Sequence, residues 1–316
     1  YRPNYNITHR EKATAILENP AEFLFSQGRK LNEIMFELGL STPGYVNEQL
    51  FADCEDAGIK HLEISVDKWK SEQLDFAQLK AWSEKYNVNL WSFHLPFWPF
   101  AEIDISNKEL AEKSVNYLSE FIKKGSEIGI NKYVIHASGE PIAEEDRKSR
   151  MECAKKSLYT LAEIAKGCGS VILVEDLPRT CLGRNSDDMM ELLSAHPDLR
   201  ACFDTNHLLD EDIVKFIHVL GDKIVSTHIS DYDFNNERHW LPGEGDINWQ
   251  ELIRALKDVN YQGIWLYEID FGCPSTIKRD RDLTCKDFAD NIRELALGNT
   301  PSPLGTRACG LKHWTK

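Results

Sequence analysis

Residues 171–176 read VILVED, a run of four apolar residues that ends in two carboxylates. A strand with one face in water alternates apolar and polar residues, whereas a parallel strand that is buried on both faces stays apolar along its length. This segment is therefore predicted to be a buried parallel strand with polar groups at its carboxyl end.

Seven further segments have the same short apolar character, and helical patterns lie between them. In chain order they are EIMFELGL (33–40), IKHLEIS (59–65), NLWSFHL (89–95), KYVIHA (132–137), LRACFDT (199–205), KIVSTHI (223–229) and GIWLYEI (263–269). Eight strands alternating with helices over about 265 residues predict an α/β fold, a single (β/α)₈ TIM barrel. A doubly wound sheet is disfavoured because no GxGxxG or P-loop motif follows the first strand.

The barrel is expected to form one domain over residues 33–297, since no linker-like composition interrupts this range. Residues 1–32 are predicted to be a short N-terminal extension with one helical stretch. Residues 298–316 are predicted to be a C-terminal tail on the surface.

The composition narrows the classes of partner. The 316-residue chain has 37 Lys and Arg against 51 Asp and Glu, a formal charge of −14. Nucleic acids and anionic membranes both attract positive charge, so we expect neither as a partner. No apolar stretch approaches the ~18 residues of a membrane span. A homo-oligomer is left open.

The eight cysteines contain no CxxC pair, which favours buried, reduced thiols over a disulfide framework or a zinc knuckle. We therefore expect a cytoplasmic protein. An exported form with a removed leader stays open, because the sequence begins at Tyr1 rather than at Met.

Polar residues stand where the predicted strands end. Barrel enzymes place their catalytic groups at the carboxyl ends of the strands, so these side chains are expected to converge on one pocket. A single such His or Glu is more often structural, and it is the recurrence around the rim that indicates a site. The residues are Glu63, His94, His136, Glu175, Asp204, His207, His228 and Glu268.

Three of the four carboxylates in this set carry charges that need compensation. Glu175, Asp204 and Glu268 would repel one another unless they were protonated or bound a cation. Three carboxylates with the imidazole of His228 suit Mn²⁺, Mg²⁺, Co²⁺ or Zn²⁺. We expect one divalent metal ion at these four residues, and the alternative is a set of solvated loop acids.

These segments together resemble the sugar phosphate isomerase/epimerase superfamily, the xylose isomerase-like TIM barrels, over roughly residues 33–297. The resemblance is carried, in this order, by SFHLPF (92–97), YVIHASGE (133–140), VILVEDLPR (171–179), CFDTNH (202–207), STHISD (226–231), RHWLPGEGDINW (238–249) and LYEID (266–270). Each segment is a weak signal alone, and their order makes the joint signature specific. By this resemblance Glu175, Asp204, His228 and Glu268 match the superfamily's metal ligands.

The resemblance implies a metal-dependent isomerase or epimerase of a sugar, sugar phosphate or keto-sugar. Such an enzyme acts through a metal-bound enediolate, with Glu175 and Glu268 as the acid/base pair. The substrate is expected to be a small carbohydrate, bound by His94, His136, His207, Arg238 and His239.

The loop 238–249 is expected to cross the pocket mouth, with Gly243 and Gly245 allowing a tight backbone path. For Arg238 the alternative is a salt bridge to a neighbouring loop. The loop residues expected to set substrate specificity are Phe97, Trp98, Phe100, Arg179 and Trp240.

Two other functions remain as alternatives. The superfamily includes the apurinic endonucleases, which use three zinc ions. His94, His136, Glu175, Asp204, His207, His228, His239 and Glu268 fall where that branch has ligands, and Glu237 stands where it has an aspartate. The charge of −14 and the lack of evident basic DNA-contacting loops argue against such a multi-zinc phosphodiesterase. The second alternative is a non-catalytic sugar-binding barrel, which would have no use for a matched pair of glutamates.

Overall fold

The protein is described here by a computed structural model that covers residues 36–97 and 102–314. Eight strands lie side by side in the order β7-β6-β5-β4-β3-β2-β1-β8. Their bounds are β1 Leu38–Ser41, β2 His61–Ile64, β3 Asn89–His94, β4 Lys132–His136, β5 Val171–Glu175, β6 Arg200–Asp204, β7 Ile224–His228 and β8 Trp265–Tyr267. All the strand pairs within this sheet are parallel.

The ring closes between β7 and β8 through the residue that follows β7. Ile229 forms a parallel bridge with Tyr267, and its N–H donates to the Leu266 carbonyl at 2.8 Å. The Glu268 N–H returns a bond of 3.1 Å to the Ile229 carbonyl. The predicted (β/α)₈ barrel is thereby confirmed.

Helices follow each strand and cover the outside of the ring. They are α1 Glu48–Ala57, α2 Lys68–Ser71, α3 Phe76–Tyr86, α4 Ala111–Glu127, α5 Arg147–Gly167, α6 Ser186–Leu193, α7 Ile213–Leu220, α8 Trp249–Asp258 and α9 Cys285–Ala296. Short 3₁₀ turns lie at Glu144–Asp146 and Gly221–Lys223. Several helices begin at an Asn or Asp side chain that accepts the N–H three residues later, as Asn47 does for α1 and Asn185 for α6.

The strands are shorter than the apolar segments that predict them, because ladder pairing ends before the apolar run does. The first predicted strand, 33–40, illustrates this. Residues 33–35 lie outside the described residues, Phe36 packs on Tyr261 and Trp265, and pairing begins at Leu38. The predicted N-terminal extension, 1–32, also lies outside the described residues.

Part of the predicted C-terminal tail forms a strand. Residues Gly305–Arg307 pair antiparallel with Ile277–Arg279, which follows β8. Arg307 also binds the carboxylate of Asp246 with contacts of 2.7 and 3.0 Å. This part of the chain therefore lies against the loop 238–249.

Every second side chain of a strand faces the barrel lumen, so successive lumen-facing residues lie at different depths. Val134, Leu173 and Cys202 form a small buried cluster of their own, separate from the large core between strands and helices. Side chains two residues apart on a strand share a face, so Glu175 lies above Leu173 and Asp204 above Cys202. The apolar cluster thus forms a floor, and the ionisable groups occupy the carboxyl end.

Among the described residues, no helix is long and apolar enough to cross a membrane.

Candidate active site

Four ionisable side chains from the ends of different strands meet at the carboxyl end of the barrel. The His228 Nδ1 atom lies 2.9 Å from Glu175 Oε1, 3.4 Å from Glu268 Oε2 and 3.9 Å from Asp204 Oδ2. Glu175, Asp204 and His228 are almost completely buried, whereas the Glu268 side chain is 22% exposed. The structure therefore brings together the four residues predicted to bind the metal, with Glu268 on the open side.

The Glu175 carboxylate is surrounded by imidazoles. Its Oε2 atom lies 3.0 Å from His94 Nε2 and 3.0 Å from His136 Nε2, and its Oε1 atom faces His228. Burial would raise the pKa of Glu175, but His228 and His136 hold it well below its ordinary value. Glu175 is therefore an ionised carboxylate at neutral pH.

The environment of Glu268 acts in the opposite direction. Burial, together with the charges of Glu175 and Asp204, raises its pKa to about 7, although His228 opposes the shift. Two glutamates on one centre thus have pKa values displaced in opposite directions. Such a divergence is a frequent property of acid/base pairs in enzymes.

The donor set fits a divalent metal ion. The Asp204 Oδ2 atom is buried and has no hydrogen-bond partner, although its other oxygen accepts the Asn206 N–H at 2.6 Å. Ligand atoms of His94, Glu175, His228 and Glu268 lie within 4.8 Å of one another, as do those of Glu175, Asp204 and His207. An unsatisfied buried carboxylate oxygen is costly, and a cation beside it relieves that cost.

Glu63 is among the rim residues that the sequence predicts to converge on the pocket, but sequence reasoning gives it no specific function there. It is fully buried on β2, lies 2.9 Å from His228 Nε2, and accepts hydrogen bonds from Ser92 (2.7 Å) and Ser41 (3.1 Å). These contacts orient the imidazole so that Nδ1 faces the carboxylates. Serines inside otherwise apolar strands are the sequence signal for such a supporting carboxylate.

A second cluster lies beside the first and contains His207, Glu237 and His239. Their ligand atoms lie within 4.8 Å of one another. His207 Nε2 is 3.1 Å from Glu237 Oε1, and the His207 Nδ1 atom is 3.6 Å from Asp204 Oδ2. We call these three residues the outer cluster. His207 connects it to the four predicted metal ligands.

The loop 238–249 is fixed by the carboxylate of Asp231, the last residue of STHISD. Asp231 accepts the Gly243 N–H at 2.8 Å, the Trp249 indole N–H at 3.0 Å and the Ile247 N–H at 3.2 Å. A Cβ atom on Gly245 would lie 2.0 Å from Asp231 Oδ1, so only glycine allows this approach.

A buried salt bridge holds the same loop from its other side. Glu244 pairs with Arg279 at 2.6 and 3.0 Å, and both side chains are almost fully buried. The loop is therefore a rigid wall of the site, and its charged residues largely serve to hold it in place.

The remaining residues of the loop differ in their placement. The Arg238 guanidinium binds Asp233 at 2.9 Å and the Lys312 carbonyl at 2.9 Å, so its charge is engaged within the protein. His239 is 38% exposed and faces the open pocket near Glu268. Trp240 is completely buried and donates its indole N–H to Thr276.

Two cavities open onto this centre, and Phe97 lines both. The larger cavity, of 420 Å³, has the polar lining residues Ser41, Thr42, Ser65, Asp67, Arg238, His239, Glu268 and Asp270. The smaller cavity, of 170 Å³, has Ser138, His136, Glu140, Arg179, His207 and Glu237 as its polar lining. Trp98 and Phe100, also expected to set specificity, lie outside the described residues.

The comparisons with known proteins agree with this architecture. A family model described as a xylose isomerase-like TIM barrel matches residues 51–284. The fructoselysine 3-epimerase of Escherichia coli O157:H7 is 28% identical over 120 residues, which are 36% of this chain and 44% of that enzyme. The D-psicose 3-epimerase of Enterocloster bolteae is 28% identical over 132 residues, 39% of this chain and 41% of that enzyme. Both matches span less than half of the relative's length.

A solved structure extends the likeness to most of the barrel. The structure of an L-ribulose 3-epimerase superposes with a TM-score of 0.68 and covers 84% of this chain and 95% of that chain. The two sequences are 20% identical in the superposed part, so this likeness establishes the fold.

Proposed function

We propose that this chain, which belongs to the xylose isomerase-like TIM barrel family, is a metal-dependent epimerase of a keto-sugar. The observation that carries the proposal is the convergence of two glutamates, Glu175 and Glu268, with Asp204 and His228 on one centre, where Glu268 lies on the side open to the pocket. The relatives named as sugar 3-epimerases support the reaction type.

Glu175, Asp204, His228 and Glu268 would hold one divalent ion. When bound, such an ion polarises the carbonyl of a ketose and stabilises the negative charge that develops on its oxygen. Mn²⁺, Mg²⁺, Co²⁺ and Zn²⁺ all suit a set of three carboxylates and one imidazole.

The two glutamates would move the proton. One carboxylate removes it from the carbon next to the ketone, and the other carboxylic acid returns a proton to the opposite face of that carbon. The pair needs one member that takes up a proton and one that gives a proton back. In the metal-free chain the pKa of Glu175 is held well below its ordinary value and that of Glu268 is raised to about 7, so the two side chains differ in proton affinity. After one reaction the two protonation states are exchanged, and exchange with solvent through the open side at Glu268 resets them.

The cavity walls favour a substrate without a phosphate group. Among the described residues that line the two cavities, the Lys and Arg side chains are Arg179 and Arg238. Both guanidiniums are already paired, Arg179 with Glu140 and Glu237, and Arg238 with Asp233. The other lining side chains that can carry charge near neutral pH are carboxylates and the imidazoles of His136, His207 and His239, of which His207 is already paired with Glu237. A phosphate dianion would therefore meet the repulsion of the carboxylates without a free Lys or Arg to bind it. We infer that the substrate is a neutral ketose or one with a cationic substituent.

This inference predicts the outcome of a substrate comparison. The comparison uses a ketose that the metal-loaded protein epimerises and the terminal phosphate ester of that ketose. The kcat/KM of the free ketose should be higher on the order of 100-fold, because juxtaposed like charges cost several kcal/mol. Free ketoses of five and six carbons, a fructosamine and their phosphates are incubated with the protein and Mn²⁺, and the epimers are separated by chromatography. Preference for the phosphate ester would contradict the inferred substrate class. Lack of turnover with every keto-sugar would favour a barrel that only binds sugars.

The second candidate is a multi-zinc phosphodiesterase, and the outer cluster is the observation that favours it. His207, Glu237 and His239 add a further group of potential zinc ligands next to His94 and His136. Zinc prefers imidazole-rich sites of this kind. Zinc-dependent nicking of abasic DNA, without epimerisation of any ketose, would support this candidate over the first.

A further inference from the structure

We propose that Arg179 takes the place of a second metal ion at the outer cluster and thereby keeps the centre mononuclear. The inference rests on the proposed single-metal function, and it assigns to Arg179 a role in selecting how many ions the centre holds. Arg179 lies in the loop after β5 and lines the 170 Å³ cavity.

The outer cluster has the arrangement of a cation site. The His207 Nδ1 atom donates to the Asp176 carbonyl at 2.7 Å, which leaves Nε2 directed at Glu237 Oε1, 3.1 Å away. His239 Nε2 lies 4.0 Å from the same carboxylate oxygen. Two imidazoles and a carboxylate are a common ligand set for transition metals.

Arg179 already supplies a cation to this cluster. Its Nη1 atom pairs closely with Glu237 Oε2, the oxygen that does not face His207. A guanidinium cannot lose its proton in a protein, so this positive charge is permanent. A divalent ion bound by Glu237 would have to share the carboxylate with that charge at short range, and the repulsion disfavours binding.

Glu140 holds Arg179 in position from the opposite side. The Arg179 Nε atom donates to both Glu140 oxygens at 3.0 and 3.1 Å, and Nη2 donates to Oε1 at 2.5 Å. The backbone of Arg179 is in the left-handed region with φ of 56°, which turns the side chain sharply at the end of Glu175-Asp176-Leu177-Pro178. A forked, two-sided contact of this kind places the guanidinium far more rigidly than a single ion pair.

Removal of the guanidinium changes the charge balance in a defined way. Without Arg179, the carboxylates of Glu140 and Glu237 lose their shared cation. A divalent ion then finds three ligands, Glu237, His207 and His239. The nearby carboxylate of Glu140 has lost its ion pair and adds to the attraction for the ion. A second ion should bind there.

The test is the number of metal ions per chain in the full-length protein and its variants, after loading with Mn²⁺ or Zn²⁺ and dialysis. Wild type and Arg179→Lys, which keeps the charge, should hold one ion. Arg179→Met should hold two, with the second bound at least about tenfold more tightly than any outer-cluster binding in wild type. In the Mn²⁺ form, the paramagnetic resonance spectrum should change from that of an isolated ion to that of a coupled pair.

Two further variants keep the test decisive. The double variant Arg179→Met/Glu140→Gln removes both charges of the Arg179–Glu140 pair and therefore leaves no unpaired Glu140 carboxylate. It replaces the single variant in the test if Arg179→Met does not fold, and it should also bind two ions. Adding Glu237→Gln to Arg179→Met should return the count to one. A count of one in folded Arg179→Met, with one in wild type, would overturn this inference and leave the proposed epimerase intact. Two or three ions in wild type would instead contradict the single-metal function itself.

Discussion

Glu268→Gln is expected to lower turnover of the keto-sugar by about 10³–10⁴-fold while the barrel stays folded. The amide fills the same volume beside His228, but it cannot accept or return a proton, and a positioned acid or base contributes up to about 10⁴-fold to such steps. The measurement is kcat with saturating substrate and metal. Glu120→Gln, the same change on an exposed surface of α4, should leave kcat within about twofold. Near-normal turnover in Glu268→Gln would contradict the assignment of the two glutamates.

The stability of the metal-free protein separates lost chemistry from lost structure. The folded chain raises the pKa of Glu268 to about 7, so between its ordinary value of 4.5 and 7 it binds a proton more tightly than the unfolded chain does. This group therefore stabilises the metal-free fold at low pH, and that contribution falls as pH rises through the window. The amide of Glu268→Gln does not ionise, so the variant does not lose stability as pH rises. At pH 8 its metal-free melting temperature should therefore exceed that of wild type by a few degrees. The difference should vanish near pH 4.

Asp204→Asn is expected to weaken binding of the divalent ion more than about 100-fold. Loss of a residue that only orients a ligand already costs roughly 10–100-fold in metal affinity, and Asp204 would donate a full charge directly. Its Oδ2 atom is buried without a hydrogen-bond partner, so a bound cation would stabilise the charged carboxylate. A neutral amide at this position would attract the cation much less. The dissociation constant is measured by titrating metal-stripped protein with Mn²⁺.

The matched control is Asp198→Asn, an exposed carboxylate that pairs with Lys166 on the outside of the barrel. It should bind Mn²⁺ as wild type does. An Asp204→Asn variant that binds the ion within threefold of wild type would show that the metal site does not include Asp204.

The fold can be predicted from the sequence because its signal is repeated. A buried parallel strand such as VILVE (171–175) has to stay apolar on both faces, and the pattern recurs at regular intervals with amphipathic helices between. The convergence of Glu175, Asp204, His228 and Glu268 follows from the same regularity, since the carboxyl ends of all strands meet at one rim.

The sequence does not predict which ion pairs the charged residues of the site form. Arg238 and Arg179 both read as candidates for binding substrate, yet one is engaged by Asp233 and the other by Glu140 and Glu237. These pairings join residues from different loops, so they depend on backbone paths that no local pattern encodes. Asp231 illustrates the same limit, because its role in holding the loop appears only once Gly243, Ile247 and Trp249 are seen around it.

Strand limits are also set by three-dimensional pairing. The segment GIWLYEI (263–269) predicts a strand that includes Glu268, whereas the ladder ends at Tyr267. Glu268 stands just beyond it, where the chain leaves the barrel wall, and this position gives the carboxylate its partial exposure. The burial of most of this side chain and the like charges of Glu175 and Asp204 produce its raised pKa, which sequence alone does not reveal.

The most direct test of the central claim is exchange of the substrate's carbon-bound hydrogen with solvent. The metal-loaded protein is incubated in heavy water with a keto-sugar that it turns over, and both epimers are analysed by NMR and mass spectrometry. If Glu175 and Glu268 transfer the proton, one deuterium should appear at the carbon next to the ketone in the product, and with time in the recovered substrate. Epimer formed at full rate with no deuterium at that carbon would contradict proton transfer by these two carboxylates.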